Sequence, residues 1–209
     1  MKKKGVIGID EVGRGPLAGP VTVCAFYSND ISKLKKEFFT NGIKDSKKLS
    51  KSIRNSIYLT IRNKRKLNKD IMYAISSRSA SYIDVHGIQK AIKACILSCI
   101  KNLERNGVDM NTVSIHLDAG LTVPIKSIQQ KSFIKGDEKF VEIALASIMA
   151  KESRDIYMKS LSKIHKEYRW QSNVGYGTKD HCEAIKKVGI TKYHRSTYLK
   201  SFKLFSKTD

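Results

Sequence analysis

Two adjacent carboxylates end the first apolar segment of the chain and lead directly into a glycine-rich turn. Residues 5–10 read GVIGID, a run typical of a short buried strand that delivers Asp10 and Glu11 at its end. A Gly-Arg-Gly sequence follows at residues 13–15, and a second β-branched run, VTVCAFY, occupies residues 21–27. This order predicts a hairpin at the start of a sheet, with acids beside the turn.

The rest of the chain alternates helix-like and strand-like segments. Residues 88–103 carry apolar side chains at helical spacing, and residues 50–69 are compatible with a basic helix. Residues 113–118 alternate as a strand does, and residues 141–150 form an apolar run typical of a buried helix. Strands that alternate with helices predict a mixed α/β domain.

No repeat or proline-rich linker divides the chain. We therefore expect one domain, residues 1–209, with a basic and loop-like tail from residue 186. No apolar run reaches the roughly 18 residues that a membrane span needs. Residues 1–10 turn acidic before a secretory core could form, which predicts a cytoplasmic protein. We expect the four cysteines to be small apolar residues, because none has a metal-binding spacing: Cys24, Cys95, Cys99 and Cys182.

Charge is the strongest compositional signal. The chain has 40 Lys and Arg against 19 Asp and Glu, for a net charge of +21, and residues 31–70 alone hold 13 bases and 3 acids. Such an excess excludes an acidic or neutral surface. It predicts a polyanionic partner, because cations that neutralise phosphates release counterions. A lysine-biased genome is the alternative explanation.

Two further acids follow strand-like segments, Asp118 in HLDAGL and Asp137 in IKGDEKF. If these ends meet Asp10 and Glu11 at one edge of the sheet, four carboxylates cluster there and need cations. Mg²⁺ or Mn²⁺ suits such oxygen ligands, and two ions roughly 3.5 to 4 Å apart would activate a water and stabilise the leaving oxygen of a phosphodiester. Taken singly, each acid is also typical of a cap or loop, and the Gly-Arg-Gly sequence of a tight turn.

Several motifs of this chain resemble those of bacterial ribonuclease HII. They occur in that family's order and cover nearly the whole chain. The motifs are DEVGRGPLAGP at 10–20, DSKKLS at 45–50, KGD at 135–137, ASIMAKESRD at 146–155, and GYGTKDH with a later HR within 175–195.

The resemblance implies a ribonuclease H-like α/β fold, with a five-stranded mixed sheet flanked by helices and a helical C-terminal part. It also implies an endonuclease that uses two Mn²⁺ or Mg²⁺ ions. Such an enzyme hydrolyses the RNA strand of RNA/DNA hybrids and nicks duplex DNA 5′ to single embedded ribonucleotides, leaving a 3′-hydroxyl and a 5′-phosphate. Its role would be ribonucleotide removal from DNA. Hybrids and such duplexes are the expected partners of a monomeric protein with no membrane association.

The resemblance assigns site residues by motif position. The catalytic, metal-binding carboxylates are Asp10, Glu11, Asp118 and Asp137. The loop that reads the ribose 2′-hydroxyl and the adjacent phosphate is Gly13, Arg14 and Gly15. Tyr176 matches the tyrosine that packs against the next nucleotide. The contacts to the strand backbone match Ser46, Lys47 and Lys48.

Other residues compete for these roles. Asp155 is a rival for the fourth carboxylate, but we expect Arg154 and Asp155 to form a structural pair. Trp170 resembles a stacking residue for single strands, although core packing is the favoured interpretation. Tyr193, Tyr198 and Phe202 have the same two interpretations. Four histidines are expected to be structural, since a metal-activated water needs no side-chain base: His86, His116, His181 and His194.

The chain departs from the family pattern at three places. Gly177 stands where proline is usual, which would loosen the tyrosine-bearing loop. Glu152 replaces a usual valine and needs a partner, for which Lys151 and Arg154 are the candidates. Residues 196–202, STYLKSF, replace SFGPV, which leaves the C-terminal contact open.

Two other functions also fit parts of the sequence. A non-catalytic basic protein that binds ribosomal RNA or DNA would explain the charge, but not four acids in so cationic a chain. Another nuclease or recombinase of the same superfamily would share the carboxylates and lack the Gly-Arg-Gly loop.

Overall fold

A computed structural model describes residues 5–40, 42–43, 49–67 and 70–201. These residues form one five-stranded sheet and eight α-helices. The strands are β1 (Val6–Val12), β2 (Val21–Ser28), β3 (Ile71–Arg78), β4 (Ser114–Asp118) and β5 (Gln130–Phe133). The helices are α1 (Ile31–Phe38), α2 (Lys51–Leu67), α3 (Ala80–His86), α4 (Ile88–Arg105), α5 (Val141–Ile164), α6 (Trp170–Asn173), α7 (Lys179–Val188) and α8 (Ser196–Ser201).

The sheet is mixed, with the order β3-β2-β1-β4-β5. β1 and β2 form the predicted antiparallel hairpin, in which Asp10 lies opposite Cys24, and β3 pairs antiparallel with β2. β1, β4 and β5 run parallel to one another. The carboxyl ends of these three strands therefore meet at one edge of the sheet, where ligands commonly bind in α/β folds.

The two faces of β1 pack against different helices. Ile7 and Ile9 are buried in the core that includes the apolar side of α4, whereas Gly8 lies against the backbone of α5 at Glu142. A Cβ at Gly8 would overlap the Glu142 carbonyl group. Gly8 thus allows the first turn of α5 to approach the strand that carries Asp10.

The two long helices match the sequence pattern closely. α4 buries a stripe of apolar residues against one face of the sheet, as its spacing predicts, and Cys95 and Cys99 belong to that stripe. α5 is buried over most of its length against the other face, together with α1 and α2. Cys24 is buried in this second core. No helix in the described ranges is both long and apolar enough to cross a membrane.

Two expectations about local structure are wrong. Residues 186–201 are not a loop, because α7 continues to Val188 and α8 forms at Ser196–Ser201. The first N–H groups of α8 are bound by the carboxylate of Asp84, a distant residue of α3, so the neighbouring sequence does not show this stabilisation. Asp137 does not end a strand either. It lies in a 3₁₀ turn, Gly136–Glu138, after β5 has ended.

Candidate active site

The four predicted carboxylates lie at one edge of the sheet, here called the acidic edge: Asp10, Glu11, Asp118 and Asp137. β1 carries the first pair, and Asp118 is the last residue of β4. The backbone N–H of Gly136 donates to Asp118 Oδ1 at 2.8 Å, which ties the turn that carries Asp137 to the end of β4. This hydrogen bond helps to hold the turn that follows β5, and with it Asp137, beside Asp118.

Asp10 is buried, with 6% of its surface exposed, and its pKa is raised more strongly than that of Glu11. Burial, the charge of Glu11 and, to a smaller extent, that of Asp118 raise the pKa of Asp10 well above its usual value. Hydrogen bonds from the Ser147 side chain on α5 and from the Glu11 N–H, at 2.8 Å, oppose this rise. The ionised form of Asp10 therefore needs a further cation.

Glu11 is held by one cation, and one of its two carboxylate oxygens lacks a hydrogen-bond partner among the described residues. Burial raises the pKa of Glu11, the guanidinium of Arg14 lowers it, and the charge of Asp118 raises it again. Glu11 Oε1 forms an ion pair with Arg14 Nε. Within the described residues, neither Glu11 Oε2 nor Arg14 Nη2 has a hydrogen-bond partner, although both atoms are buried. Glu11 therefore has one oxygen available for a ligand.

A cavity of about 230 Å³ adjoins the acidic edge. Glu11 and Asp137 line one part of it, and the cationic side chains of Arg54 and Lys151 line another. Such a cavity suits a phosphate group with bound metal ions, because the carboxylates can bind the metal ions and the cationic side chains can bind the phosphate.

The residues of the acidic edge fit divalent cations by their chemistry. All four side chains offer oxygen ligands, burial and neighbouring carboxylates raise the pKa values of Asp10 and Glu11, and Glu11 Oε2 has no hydrogen-bond partner among the described residues. No three His, Cys, Asp or Glu side chains in the described part of the chain are already gathered tightly enough to hold an ion. The four acids thus lie near one another without being closed around an ion.

The loop after β1, here called the reader loop (residues 13–19), has a shape that side chains would disrupt. Gly13 has φ of 90°, and a Cβ there would lie 2.5 Å from Arg154 Nε and 2.7 Å from the Pro20 carbonyl oxygen. The loop returns the chain from β1 to β2 while keeping Arg14 beside Gly120, the second residue after Asp118.

Two buried arginines hold this loop through backbone oxygens. Arg154 of α5 donates to the carbonyls of Ala18, Pro20 and Val174 at 2.9 to 3.1 Å. Arg195 donates to the carbonyls of Gly13, Arg14 and Gly19 at 2.6 to 3.0 Å. We call these six oxygens the carbonyl cage. Burial and the charge of Arg195 lower the pKa of Arg154 to about 10, and burial also lowers that of Arg195.

Tyr176 lies against the reader loop. A Cβ at Gly15 would lie 3.9 Å from its ring, an ordinary contact distance. The Tyr176 N–H donates to the Asn173 carbonyl at 2.9 Å, and its own carbonyl accepts from the Thr178 N–H and from His181 Nδ1. These bonds hold the backbone on both sides of Tyr176, even though Gly177 replaces the usual proline.

His181 belongs to a buried network whose tautomers follow from its partners. The Tyr176 carbonyl can only accept, so His181 Nδ1 carries a proton and its Nε2 accepts from Trp170 Nε1 at 3.1 Å. His194 Nδ1 accepts from the Thr191 N–H, so its Nε2 carries a proton and shares the His181 Nε2 acceptor, at 3.2 Å, with Trp170. Burial lowers the pKa of both histidines, and it lowers that of His194 to about 4 together with a smaller contribution from neighbouring His181. Both are neutral and structural here.

Three expectations about side-chain partners are settled by the contacts. Asp155 pairs with Lys151 at 2.6 Å and not with Arg154, which is occupied in the carbonyl cage. Glu152 pairs with Arg54 of α2 at 3.2 Å, so both candidate partners were wrong. Trp170 is fully buried, which confirms the core interpretation. The predicted contacts Ser46, Lys47 and Lys48, and Phe202, lie outside the described residues.

Some residues of the site have no role in the sequence interpretation. The HR and AK-x-x-RD motifs contain Arg195 and Lys151, but the sequence does not show that the first lies under residues 13–19 or that the second lines the cavity. Ser147 and Arg54 are recognised only when α5 and α2 are seen beside β1. Tyr198, whose hydroxyl donates to the Arg14 carbonyl at 2.9 Å, was only one of three aromatic residues in the tail.

Comparisons with known proteins agree with this geometry. A family model described as Ribonuclease HII matches residues 7–204. Ribonuclease HII of Staphylococcus saprophyticus is 43% identical over 92% of this chain and 68% of its own length, and that of Helicobacter pylori strain G27 is 37% identical over 92% and 90%.

Solved structures share the fold. Ribonuclease HII of Archaeoglobus fulgidus, solved as a complex with PCNA, is 25% identical, with a TM-score of 0.76 and 97% of each chain covered. Bst-RNase HIII, solved in complex with Mn²⁺, is 19% identical, with a TM-score of 0.71, and the match covers 98% of this chain and 70% of that one. The ribonuclease H-like fold is therefore confirmed.

Proposed function

The chain belongs to the ribonuclease HII family and is therefore a divalent-metal-dependent ribonuclease H that acts on RNA/DNA substrates, and we propose that it also nicks duplex DNA 5′ to a single embedded ribonucleotide. The observation that carries this proposal is the ion pair between Glu11 of the acidic edge and Arg14 of the reader loop. Carboxylates for phosphodiester hydrolysis and a loop for ribose recognition are adjacent along the chain and in space.

We propose that the acidic edge holds two divalent cations, with Asp10, Glu11, Asp118 and Asp137 as ligands. Bound there, the ions would supply a nucleophilic water and stabilise the departing 3′-oxygen, which leaves a 3′-hydroxyl and a 5′-phosphate. The protein's part is to orient. Ser147 and the Glu11 N–H hold the Asp10 carboxylate, and the Gly136 N–H holds one oxygen of Asp118.

Selection of a ribonucleotide would depend on the reader loop. Arg14 and the N–H groups of residues 14 and 15 are suited to bind the 2′-hydroxyl and its phosphate, because an arginine and backbone donors both bind oxygen acceptors. Tyr176, in contact distance of Gly15, would pack against the following nucleotide and sense the junction between RNA and DNA.

The basic surface would bind the duplex backbone without regard to sequence. The exposed side chains of Lys51, Arg62 and Arg65 lie on α2, whose residue Arg54 reaches the cavity at the acidic edge. Ser46, Lys47 and Lys48 precede this helix and are proposed as further backbone contacts. Affinity would fall steeply with salt, as phosphate contacts require.

The test is a nicking assay on three labelled duplexes of one sequence: all DNA, DNA with one ribonucleotide, and an RNA/DNA hybrid. With Mn²⁺ or Mg²⁺ we expect cleavage of the hybrid and a single nick 5′ to the ribonucleotide, both abolished by a chelator. Cleavage of the hybrid alone would contradict the proposal for embedded ribonucleotides and leave the family assignment in place. Cleavage of the all-DNA duplex at an equal rate would contradict ribose recognition.

A further inference from the structure

The segment of residues 191–198, here called the strap, lies beneath the reader loop and follows it closely. The Arg195 N–H donates to the Leu17 carbonyl at 2.8 Å, and the Gly19 N–H donates to the Tyr193 carbonyl at 2.8 Å. Ala18 and His194 form an isolated antiparallel bridge between these bonds. The strap is thus a short backbone partner for a loop more than 170 residues away in sequence.

Side chains of the strap bind the two carbonyls nearest the ribose-reading residues. Arg195, which is fully buried, donates to the carbonyls of Gly13 at 2.6 Å and Arg14 at 2.8 Å. The hydroxyl of Tyr198 donates to the same Arg14 carbonyl at 2.9 Å. The Arg14 carbonyl oxygen therefore accepts two hydrogen bonds, one from Arg195 and one from Tyr198, and both restrict its orientation.

Fixing these carbonyls also fixes two backbone donors. In a planar trans peptide the carbonyl of one residue and the N–H of the next point in opposite directions. Because the Gly13 and Arg14 carbonyls point into the strap, the N–H groups of Arg14 and Gly15 point away from it. In the described part of the chain, neither N–H donates to another backbone carbonyl. Gly15 is exposed and Arg14 half-buried, so both donors face a place where a ligand can bind.

The position of Tyr198 is set from a third element. The carboxylate of Asp84 on α3 accepts from the N–H groups of Ser196 at 2.8 Å and Thr197 at 3.0 Å, and from the Thr197 hydroxyl at 2.5 Å. These bonds fix the first turn of α8, on which Tyr198 lies. The hydrogen bonds to Asp84 thus hold α8 in the position from which the Tyr198 hydroxyl reaches the Arg14 carbonyl.

We propose that Tyr198 and Arg195 are positioning residues for ribose recognition: together they orient the Arg14 and Gly15 N–H groups that bind the 2′-hydroxyl and the adjacent phosphate. This inference rests on the proposed function of the reader loop. Arg195 holds three carbonyls and is also needed to keep the loop folded. The Tyr198 hydroxyl donates to the Arg14 carbonyl and also hydrogen-bonds the Arg195 side chain. Its removal therefore tests orientation with less disturbance of the fold than the removal of Arg195.

The experiment compares Tyr198→Phe with Tyr193→Phe, a matched control whose backbone carbonyl, and not its hydroxyl, contacts the loop. Both changes are made in an Asp10→Asn background, so that binding is measured without cleavage. For each protein the Kd is measured for a duplex with one ribonucleotide and for the all-DNA duplex of the same sequence. The ratio of the two values is the ribose preference, and a general structural loss would lower both affinities equally.

We expect Tyr198→Phe to lower the ribose preference about 5-fold, the loss of roughly one net hydrogen bond, with an unchanged Kd for the all-DNA duplex. Its Tm should stay within about 2 °C of the parent. Tyr193→Phe should keep the parent's preference.

Suppose that the Asp10→Asn parent prefers the ribonucleotide duplex. An unchanged preference in Tyr198→Phe, or equal losses of affinity for both duplexes, would then overturn the inference. If the parent itself shows no preference, the proposed function of the reader loop fails, and the inference fails with it. Arg195→Lys gives a second measurement, because a lysine cannot bind three carbonyls in a fork. We expect a larger loss of preference there than in Tyr198→Phe, and an equal or smaller loss would count against the proposal.

Discussion

The acidic edge and the carbonyl cage are neighbouring regions that each bring like charges together, and they are satisfied in opposite ways. In the cage, two buried guanidiniums make seven hydrogen bonds to six backbone oxygens. At the acidic edge, burial and the charge of Glu11 raise the pKa of Asp10, and Glu11 Oε2 has no hydrogen-bond partner among the described residues.

The difference separates structural charge from functional charge. Neutral carbonyl dipoles surround Arg154 and Arg195 on several sides, so this region is complete without a ligand. The acids face one another and need positive charge from outside the fold. Mutations in the cage should therefore act mainly on stability, whereas mutations at the acidic edge should act mainly on activity.

The largest expected effect is that of Asp10→Asn. Cleavage of an RNA/DNA hybrid should fall more than about 1,000-fold, because a proposed ligand of the divalent ions loses its charge. The metal-free variant should unfold at a higher urea concentration than the parent, since the buried charge of Asp10 opposes folding. Asp180→Asn, an exposed carboxylate of α7, should leave activity and stability unchanged. If the Asp10→Asn protein were less stable than the parent, the claim that the buried charge of Asp10 opposes folding would be wrong.

A second pair of variants tests which acid completes the acidic edge. If Asp137 is a metal ligand as proposed, Asp137→Asn should lower kcat on the hybrid by roughly 100-fold, whereas Asp155→Asn should change kcat by less than about 5-fold. Asp155 is already paired with Lys151 in α5. The reverse order of effects, measured under saturating metal, would transfer the fourth carboxylate role to Asp155.

Arg154→Met tests the cage. The variant leaves the carbonyls of Ala18, Pro20 and Val174 without their donor, and the free energy of unfolding should fall by about 3 kcal/mol in urea titrations. Arg169→Met, an exposed arginine paired with Asp180, should cost less than about 1 kcal/mol. Equal losses in the two variants would show that the cage contributes no more than a surface ion pair.

The smallest expected effect is a pH dependence of stability beneath the reader loop. His194 has a pKa lowered to about 4 in the folded protein, against an ordinary value of 6.5. Between these values the unfolded chain binds more protons, so the free energy of unfolding falls as pH falls from about 6.5 to about 4. Relative to His194→Gln, the loss should be at most about 1.4 kcal/mol per pH unit. Urea titrations at pH 5, 6 and 7 measure this difference, and His86→Gln, an exposed histidine, is the control. A constant difference would show that His194 is not buried in a neutral form.

The sequence predicts the acidic edge better than the cage, for a physical reason. A carboxylate at the end of a strand is visible locally, and parallel pairing of β1 with β4 then brings Asp10 near Asp118. The hairpin and the apolar stripe of α4 are local patterns too, and both predictions are confirmed. The metal-binding role of these acids stays a prediction.

The cage depends on contacts that no local pattern encodes. Arg154 reaches carbonyls 134 and 136 residues away, and Arg195 reaches others at separations of up to 182 residues. Glu152 is paired with a residue 98 positions earlier, on another helix, so candidates chosen from its own helix were wrong. The local pattern does not show α8, whose N-terminal hydrogen bonds come from Asp84, although the resemblance implies a helical C-terminal part. In each case the partner of a charged group is set by topology.

Gly13 and Arg195 are 182 residues apart, so the ribosome synthesises the loop long before the arginine that binds it. The reader loop leaves the ribosome early, but its donors follow roughly 10 to 40 s later at ordinary elongation rates. Until then the Gly13 and Arg14 carbonyls have no strap to bind, and their peptide planes are free to rotate. The newborn chain therefore contains the carboxylates of β1 well before it can orient the groups that are proposed to distinguish ribose from deoxyribose.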